Sequence, residues 1–459
     1  MISNRRQFLQ SMAFGAGGMS LPGLFLDRSI AQEVKRAAST ASLEIAGIER
    51  TTLHVPFREV PGRAMSRELP HWRYTELCEV VLKSGARGFG ETLLYYTWGP
   101  TGDDDVKRAM GKNAAALLWD DSLGAGLQTA LFDAVGRAMG VPVHALLGQK
   151  VNERTPLSWW NIDTSPEDMA SECATAFKEG YLSYKTKGRP WFDIWKQVEE
   201  SAKVVPENFK IDMDFNATLL DAERAIPICK ELEKYPQIDI YESPIPQSDV
   251  VGNRAIREAT RVQIALHYGT PSPEVVVREQ VCDGFVVGGG ASRVMHQGHF
   301  CQEVDMPFWL QLVGTGITAA FSLHFGGVLK KASWPAVNCH QLYTHKLLAE
   351  PIEVKNGHAT VPDGAGLGFE LDRDAIEKLK VEKPAKRPDP ARMVEVSWPD
   401  GRRLYLASNN QVNFVLNAGM NGTIPFYERD VDARLYSDDG SEEWRALYNE
   451  ACKAPVLVK

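Results

Sequence analysis

The chain has 459 residues, of which 44 % are hydrophobic and 24 % are charged, and its formal net charge is −8. This length is sufficient for a barrel-sized domain with a smaller partner, and the negative charge excludes the basic surface that nucleic-acid binding requires. The seven cysteines are dispersed and contain no CxxC pair, which favours free, buried thiols over a disulfide framework or a zinc site.

The first 31 residues have the pattern of an export signal. Arg5 and Arg6 precede an apolar, glycine-rich run over residues 12–26, and small residues follow it. The paired arginines predict a twin-arginine signal peptide over residues 1–31 and a periplasmic location. The alternative is an unstructured leader in which two arginines are adjacent by chance. Because the run is shorter than the ~20 residues of a bilayer span, no stable membrane span is expected.

Residues 43–150 predict a small α+β domain. Two segments, residues 42–55 and 76–92, alternate like strands, and Gly85 and Gly88 mark a hairpin-like turn in the second. The stretch "GLQTALFDAVGRAMGVPVHALLG" then places apolar residues at the three- and four-residue spacing of a helix.

Residues 151–350 predict a barrel. Short apolar runs alternate with helical segments there, and the polar ends of the runs recur roughly every 25 residues, about one strand plus one helix. Repeats of this size predict a parallel sheet, and seven or eight of them predict a closed (β/α)8 barrel. In such barrels the chemistry lies at the C-terminal ends of the strands.

The remaining chain divides at about residue 375. Residues 351–375 predict a loop and a strand that return to the small domain. Residues 376–459 predict an appended extension with a β-hairpin around Pro399-Asp400-Gly401. The sequence of this extension does not indicate its role.

Two lysines end one of the predicted barrel strands. Lys185 and Lys187 lie two positions apart, so they point to the same face of a strand. Their mutual repulsion favours a lowered pKa for Lys187, which would then be able to accept a proton. The alternatives are a solvated edge strand and, for Lys185, an ion pair with Asp212 inside the barrel.

The strand ends "KTK", "DFN" and "ESP" resemble the enolase superfamily, and the similarity is greatest to its muconate lactonizing enzyme and mandelate racemase branch. "LFDAVGRAMGVPVHALLG" resembles the segment that joins the capping domain of that family to its barrel. "VPDGAGLGFELD" resembles its closing segment, although Ala365 stands where a proline is usual. The resemblance covers residues 43–375 and implies an α/β fold, a modified TIM-type barrel with an N-terminal α+β capping domain.

The resemblance also implies a chemistry, in which a divalent cation holds a small carboxylate substrate while a base removes the adjacent proton. Asp214 and Glu242 are the implied metal ligands, and such hard oxygen ligands suit Mg²⁺. Lys187 is the implied base, and Lys185 is implied to lower the pKa of Lys187 and to add positive charge. Asn216 is implied to contact the metal shell or the substrate. The alternatives are that Asp214 only caps a loop and that Glu242 only begins a helix; a homo-oligomer is expected by analogy.

Two departures from the family pattern affect this prediction. Where the family supplies a third carboxylate ligand, this chain has His267, which suits Mn²⁺ or another divalent ion better than Mg²⁺. His267 could equally lie outside the metal shell, donate a proton to the substrate, or be structural. At the sixth strand the family places a second base, and this chain has none. Asp283 lies at the start of that strand, on the side away from the predicted site, and His324 lies in a helical run.

A site with one base predicts dehydration of a hydroxy-acid or sugar acid, in which the same lysine acts first as base and then as acid. The alternatives are a cycloisomerase or epimerase of the muconate lactonizing type, and a non-catalytic binding protein that has lost the complete metal site. Gly288 to Gly290 lack the spacing of a nucleotide loop and predict a tight turn or a close approach.

The predicted lid loops of the capping domain carry candidate substrate contacts. Arg63, Tyr95 and Trp98 lie in these loops, where an arginine could bind a second carboxylate or hydroxyl groups and aromatic rings could close the lid. The alternative is that the arginines of these loops are solvated surface residues.

Overall fold

The computed structural model describes residues 42–96 and 99–459. Its first element is an antiparallel sheet of β1 (Ile45–His54), β2 (Tyr74–Leu82) and β3 (Arg87–Leu93). The two alternating segments thus form the predicted strands, and Gly85, at φ 89°, supplies the positive φ of the β2–β3 turn. The prediction that Gly88 also marks the turn is wrong, because Gly88 lies within β3 and pairs with Val80. The predicted signal peptide, residues 1–31, lies outside the described residues and stays a prediction.

The helices that follow in this part are α1 (Glu59–Glu68), α2 (Asp103–Ala109), α3 (Ala125–Met139) and α4 (Val143–Leu147). The stretch predicted as helical forms two helices, because Gly140 ends α3 in a left-handed conformation and Pro142 precedes α4. Helix α3 packs against β2 and β3. This packing buries most of the helix and completes the predicted α+β layer.

The barrel strands are β4 (Arg154–Trp160), β5 (Ser183–Lys187), β6 (Lys210–Asp214), β7 (Ile238–Glu242), β8 (Gln263–His267), β9 (Gly284–Val287), β10 (Phe308–Leu310) and β11 (Ala336–Val337). Successive strands from β4 to β10 pair in parallel, and β11 pairs in parallel with β4. A bridge from Gln311 to Val337 joins the end of β10 to β11 and closes the ring. Strands β9 (GFVV) and β10 (FWL) are continuous apolar runs, as parallel strands buried on both faces often are, whereas β5, β6 and β7 also carry charged side chains.

The helices between the strands are α5 (Pro166–Lys178), α6 (Ile194–Ala202), α7 (Ala222–Leu232), α8 (Val250–Ala259), α9 (Pro273–Glu279), α10 (Ala291–Glu303) and α11 (Gly316–Val328). Each connects one parallel strand to the next, so the predicted fold class is confirmed. The eighth strand, β11, has only two residues, which is too short to give a periodic signal in the sequence.

The return segment contacts both the barrel and the small N-terminal sheet layer. It forms β12 (Val354–Lys355) and β13 (His358–Thr360), and β13 pairs antiparallel with β4. The chain then reaches α3, where the backbone N–H of Leu367 donates to Asp133 Oδ1 at 2.8 Å. Helix α12 (Arg373–Leu379) follows.

Residues 376–459, called the C-terminal module below, contain more than the predicted hairpin. Their strands are β14 (Met393–Ser397), β15 (Arg403–Ala407), β16 (Asp432–Tyr436) and β17 (Val456–Val458), and their helices are α13 (Phe414–Met420) and α14 (Glu442–Ala451). The predicted hairpin is β14–β15. It forms the centre of a four-stranded sheet in the order β16-β14-β15-β17. Only Ala433 is buried in β16, and β17 has three residues of which none is buried, so neither strand has a clear apolar alternation that predicts it.

Two further sequence predictions concern the whole described chain. All seven cysteines are free, and all but Cys452 are buried, as their dispersed spacing predicts. Within residues 42–96 and 99–459, no helix is both long enough and apolar enough to cross a membrane.

Candidate active site

The C-terminal ends of β5, β6 and β7 bring four predicted site residues together. Lys187 lies opposite Asp214 in the β5–β6 register, and Asp214 lies opposite Glu242 in the β6–β7 register. Lys185 lies one pleat deeper on β5. Because neighbouring parallel strands end at the same height, the two ammonium groups and two carboxylates converge at one end of the barrel.

Lys187 lies between the carboxylates and open space. Its Nζ donates to Asp214 Oδ2 and, at 3.1 Å, to Asn216 Oδ1. The side chain of Lys187 is 16 % exposed, whereas that of Asp214 is 1 % exposed. Lys187 and Asn216 both line a cavity of about 270 Å³. Lys187 is therefore the lysine that can reach a molecule in this cavity.

The turn after β6 directs Asn216 toward Lys187. Asn216 adopts φ 44°, a left-handed conformation that asparagine tolerates better than most residues. Its backbone N–H donates to Asp214 Oδ1 at 2.8 Å, which is a local turn typical of aspartate. Asp214 thus orders this turn while its other oxygen pairs with Lys187.

Lys185 pairs with Glu242, and the alternative pairing with Asp212 is wrong. Asp212 is opposite Lys185 in register, but the long lysine side chain passes it and forms an ion pair with Glu242. Its Nζ also donates to Gln311 Oε1 at 3.0 Å and lies 4.6 Å from the centroid of the Trp309 ring. Asp212 instead accepts a bond from Ser183, and burial raises the pKa of Asp212 well above its ordinary value.

The charge of Lys185 is held by its neighbours. Burial lowers the pKa of Lys185, but the carboxylates of Glu242 and Asp214 outweigh burial and raise that pKa above its ordinary value. These two carboxylates therefore favour the charged form of Lys185, and its role beside the substrate stays a prediction.

His267 lies beside Glu242. Its Nε2 is 2.9 Å from Glu242 Oε1, and its side chain is 46 % exposed while that of Glu242 is 1 % exposed. Burial opposes ionisation of Glu242, but Lys185 and His267 hold the pKa of this carboxyl below its usual range. His267 also lines a neighbouring cavity of about 400 Å³ with Gly288 and Gln311.

The donor set at the strand ends fits a divalent cation in its chemistry. Asp214 and Glu242 are buried carboxylates at adjacent strand ends and are the kind of oxygen ligand that Mg²⁺ prefers. In the described ranges, however, no group of three His, Cys, Asp or Glu side chains is arranged to hold a metal ion. Lys185 pairs with Glu242, and Lys187 pairs with Asp214. A divalent metal ion therefore competes with these two ammonium groups for the carboxylate oxygens.

The predicted lid contacts have different outcomes. Tyr95 lines the cavity of Lys187, and its hydroxyl donates to the Pro384 carbonyl at 3.3 Å. The structure does not bring Arg63 to the cavity, because this 53 % exposed side chain pairs with Asp168; its substrate contact stays a prediction. Trp98 lies outside the described residues.

The residues considered as second bases lie away from the site. Asp283 precedes β9 and pairs with Arg257 at 2.7 Å. His324 is buried in α11, where its Nε2 bonds to the Leu367 carbonyl at 3.1 Å. The glycines after β9 serve a close approach, because a Cβ on Gly290 would lie 2.2 Å from Cγ of Asp121.

Sequence reasoning missed several residues of the cavity wall. Arg189 lies two positions after the "KTK" strand end and lines the cavity; a charged residue in the loop that follows this strand was the available signal. Trp72 and Trp160 stack on each other at 5.9 Å between ring centroids and also line it. Val412 and Leu416 come from the C-terminal module, and no local pattern connects them to the barrel.

Known proteins share this fold. The family model described as enolase C-terminal domain-like matches residues 168–375. Arabinonate dehydratase of Saccharolobus solfataricus is 26 % identical over 66 % of this chain and 82 % of that relative. Muconate cycloisomerase 1-1 of Acinetobacter lwoffii is 25 % identical over 66 % of this chain and 88 % of that relative. The crystal structure of muconate cycloisomerase from Pseudomonas fluorescens has a TM-score of 0.61 at 20 % identity, covering 74 % of this chain and 100 % of its own.

Proposed function

Because the chain belongs to the muconate lactonizing enzyme and mandelate racemase branch of the enolase superfamily, we propose that it is a divalent-metal-dependent enzyme that removes the proton α to a carboxylate. The reaction we propose is dehydration of a hydroxy-acid or sugar acid. One observation carries the proposal: Lys187 lines the cavity while pairing with the buried Asp214 carboxylate.

Lys187 takes both proton-transfer roles. Its Nζ removes the α proton and then returns it to the departing hydroxyl group on the same face, which releases water. Asn216 Oδ1, 3.1 Å from this Nζ, fixes the direction of the amine. Lys185 stays charged behind the site and stabilises negative charge that develops on the substrate carboxylate.

Asp214 and Glu242 would hold the cation, with His267 as the third donor. Mg²⁺ is the ion we propose, and Mn²⁺ or another divalent ion is the alternative that an imidazole ligand favours. When bound, such an ion supplies positive charge that stabilises the enolised carboxylate.

The other strand ends favour a single base. In the described chain, β9 is followed by Gly288 and β10 by Gln311, and neither side chain can accept a proton at neutral pH. This supports dehydration over a two-base racemisation. Since both a dehydratase and a cycloisomerase are relatives, the muconate-lactonizing type of reaction remains the alternative for the same base.

The experiment is solvent-deuterium exchange at the α carbon, followed by NMR across a panel of hydroxy-acids and acid sugars. The full chain is loaded in turn with Mg²⁺, Mn²⁺ and Zn²⁺. We expect exchange or dehydration that disappears in Lys187→Ala and persists in Lys203→Ala, a 64 % exposed lysine on the barrel surface. Protein that binds no metal and is inert across the panel would make a binding protein the better conclusion.

The location and assembly of the protein are separate proposals. We propose export by the twin-arginine route, tested by cell fractionation of the wild type and of an Arg5→Lys, Arg6→Lys double variant. Accumulation of both proteins in the periplasm would contradict that route.

A homo-oligomer is tested by light scattering during size-exclusion chromatography.

A further inference from the structure

The C-terminal module forms part of the cavity that Lys187 enters. Val412, Asn413 and Leu416 line this cavity together with the barrel residues. The segment 412–416 precedes and begins α13, and it lies beyond residue 375, where the family match ends. One wall of the cavity is therefore built by a part of the chain outside the matched region.

The module is joined to the barrel through a shared hydrophobic core. Trp191 and Phe192, in the loop after β5, are fully buried. They pack in one cluster with Val394, Leu406 and Phe414 of the module. Since large aromatic side chains are costly to remove from a packed core, this cluster holds the module against the loop that follows β5.

Hydrogen bonds fix the same contact. The Tyr427 hydroxyl donates to the Gly188 carbonyl at 2.9 Å and lies 2.6 Å from the Thr218 hydroxyl. On the other side, Arg392 Nη1 donates to the carbonyl of Arg67 in α1 at 2.8 Å. The module thus contacts both the barrel loop and the helix beside the lid.

We propose that the C-terminal module is a fixed wall of the substrate cavity and that Val412 and Leu416 limit the size of the substrate group opposite the carboxylate. The proposal rests on the function proposed for this cavity. A space of about 270 Å³ is smaller than the ~300–1,000 Å³ of pockets for drug-sized ligands. A change of one side chain in its wall therefore changes which acids fit.

The test measures binding and exchange separately in the full chain. Isothermal titration with glycolate, lactate, 2-hydroxybutyrate and 2-hydroxyhexanoate, at constant Mg²⁺, gives affinity as a function of length. Leu416→Ala enlarges the cavity, and Leu416→Trp and Val412→Phe fill it. Leu457→Trp is the matched control, because Leu457 is 51 % exposed on β17 of the same module. Circular dichroism confirms that each variant is folded.

We expect Leu416→Ala to shift the preferred acid to a longer one, and Leu416→Trp or Val412→Phe to weaken the longer acids by about tenfold or more. Unchanged length preference in all three folded variants would overturn the wall proposal. Wild-type protein that binds these acids without exchanging the α proton would instead contradict the proposed function while leaving the wall intact. Wild-type protein that binds none of the acids would overturn both.

A second inference rests on an independent observation at Arg189. This residue lies two positions after Lys187, is 2 % exposed and lines the same cavity. Its Nη1 donates to the Phe215 carbonyl at 2.8 Å, and its Nη2 donates to Asn216 Oδ1 at 2.6 Å. Its Nε is buried and has no hydrogen-bond partner.

Within residues 42–96 and 99–459, no carboxylate forms an ion pair with Arg189. Among the ion pairs of the described residues, none within 4.0 Å involves this guanidinium. Glu68 acts on it only from a greater distance, and burial together with Asp163 raises the pKa of Glu68 to about 7. A buried cation without a paired anion is costly, and a ligand anion in the cavity removes that cost.

We infer that Arg189 binds a second anionic group of the substrate, a carboxylate or a phosphate, beside the carboxylate whose α proton Lys187 removes. The planar guanidinium suits both groups, since each accepts paired N–H bonds. This inference also rests on the proposed function of the cavity.

The test compares lactate, malate and 3-phosphoglycerate by isothermal titration at constant Mg²⁺. Arg189→Met removes the charge, Arg189→Lys keeps it, and Arg261→Met is the control, because Arg261 is 82 % exposed. We expect wild-type protein to bind malate or phosphoglycerate at least about tenfold tighter than lactate. This preference should fall to within about threefold in Arg189→Met and be partly kept in Arg189→Lys.

Whichever of malate and 3-phosphoglycerate binds more tightly identifies the second group as carboxylate or phosphate. Equal binding of all three acids by the wild type, binding of none, or an undiminished preference in Arg189→Met would overturn the inference. A preference that depends on Arg189, together with no exchange at the α carbon, would contradict only the proposed function.

Discussion

Lys185 and Glu242 form an ion pair in which each side chain is only 1 % exposed. Removal of Lys185 leaves the buried Glu242 carboxylate with only the half-exposed His267 beside it, so Lys185→Met is expected to lower the free energy of unfolding by about 3–5 kcal/mol. Lys187→Met should cost less, because Lys187 is 16 % exposed and water can reach Asp214 in its place. Urea denaturation of the three proteins without added metal measures both differences.

The control for this prediction is the double variant Lys185→Met, Glu242→Gln. It removes both charges together, so it should be more stable than Lys185→Met alone. Equal free energies of unfolding for Lys185→Met and wild type would show that the ion pair does not stabilise the fold. Equal decreases for Lys185→Met and Lys187→Met would show that burial of the lysine does not determine the loss of stability.

The contact between Gly290 and Asp121 joins the N-terminal part to the barrel. Asp121 accepts bonds from the backbone N–H groups of Ser292 and Arg293 at 3.0 and 2.9 Å, at the start of α10. A methyl group on Gly290 would meet Asp121 Cγ at 2.2 Å and displace it. Gly290→Ala is therefore expected to cost about 1–3 kcal/mol and to lower the melting temperature.

Gly148→Ala is the control for this substitution, because a Cβ there meets only Val328, at 4.0 Å. Calorimetry should show a lower melting temperature for Gly290→Ala than for Gly148→Ala. The reverse order would mean that Asp121 moves aside without loss of stability.

The strands and the two carboxylates could be predicted from the sequence because their signals are local. Asp214 and Glu242 each end a short apolar run, and parallel pairing then places them side by side. The partner of Lys185 could not be predicted in the same way, since register favours Asp212 and only the path of a long side chain selects Glu242. The module wall depends on Trp191 packing against residues more than 200 positions away, which no local pattern shows.

Replacement of His267 tests its assignment as a metal ligand. His267→Asp places a carboxylate beside Glu242, where two like charges repel unless a cation lies between them. Because Mg²⁺ prefers oxygen to imidazole nitrogen, we expect Mg²⁺ to bind about tenfold tighter in the variant, measured by isothermal titration. Glu242→Gln is the control and should weaken every divalent ion. Identical Mg²⁺ affinities for wild type and His267→Asp would place His267 outside the metal shell.

The buried histidine of α11 predicts a loss of stability in mild acid. Burial lowers the pKa of His324 to about 3, so the folded state holds this imidazole neutral while the unfolded state binds a proton below about pH 6.5. The contribution of His324 to stability is complete above pH 6.5 and falls by about 2 kcal/mol between pH 6.5 and pH 5. His71, whose pKa burial lowers to about 4, adds a loss of stability of the same sign.

In His324→Gln the amide keeps a donor for the Leu367 carbonyl. Urea denaturation at several pH values should therefore show a free energy of unfolding that falls less steeply below pH 6.5 than in the wild type. Parallel limbs for the two proteins would mean that His324 does not titrate on unfolding in this range.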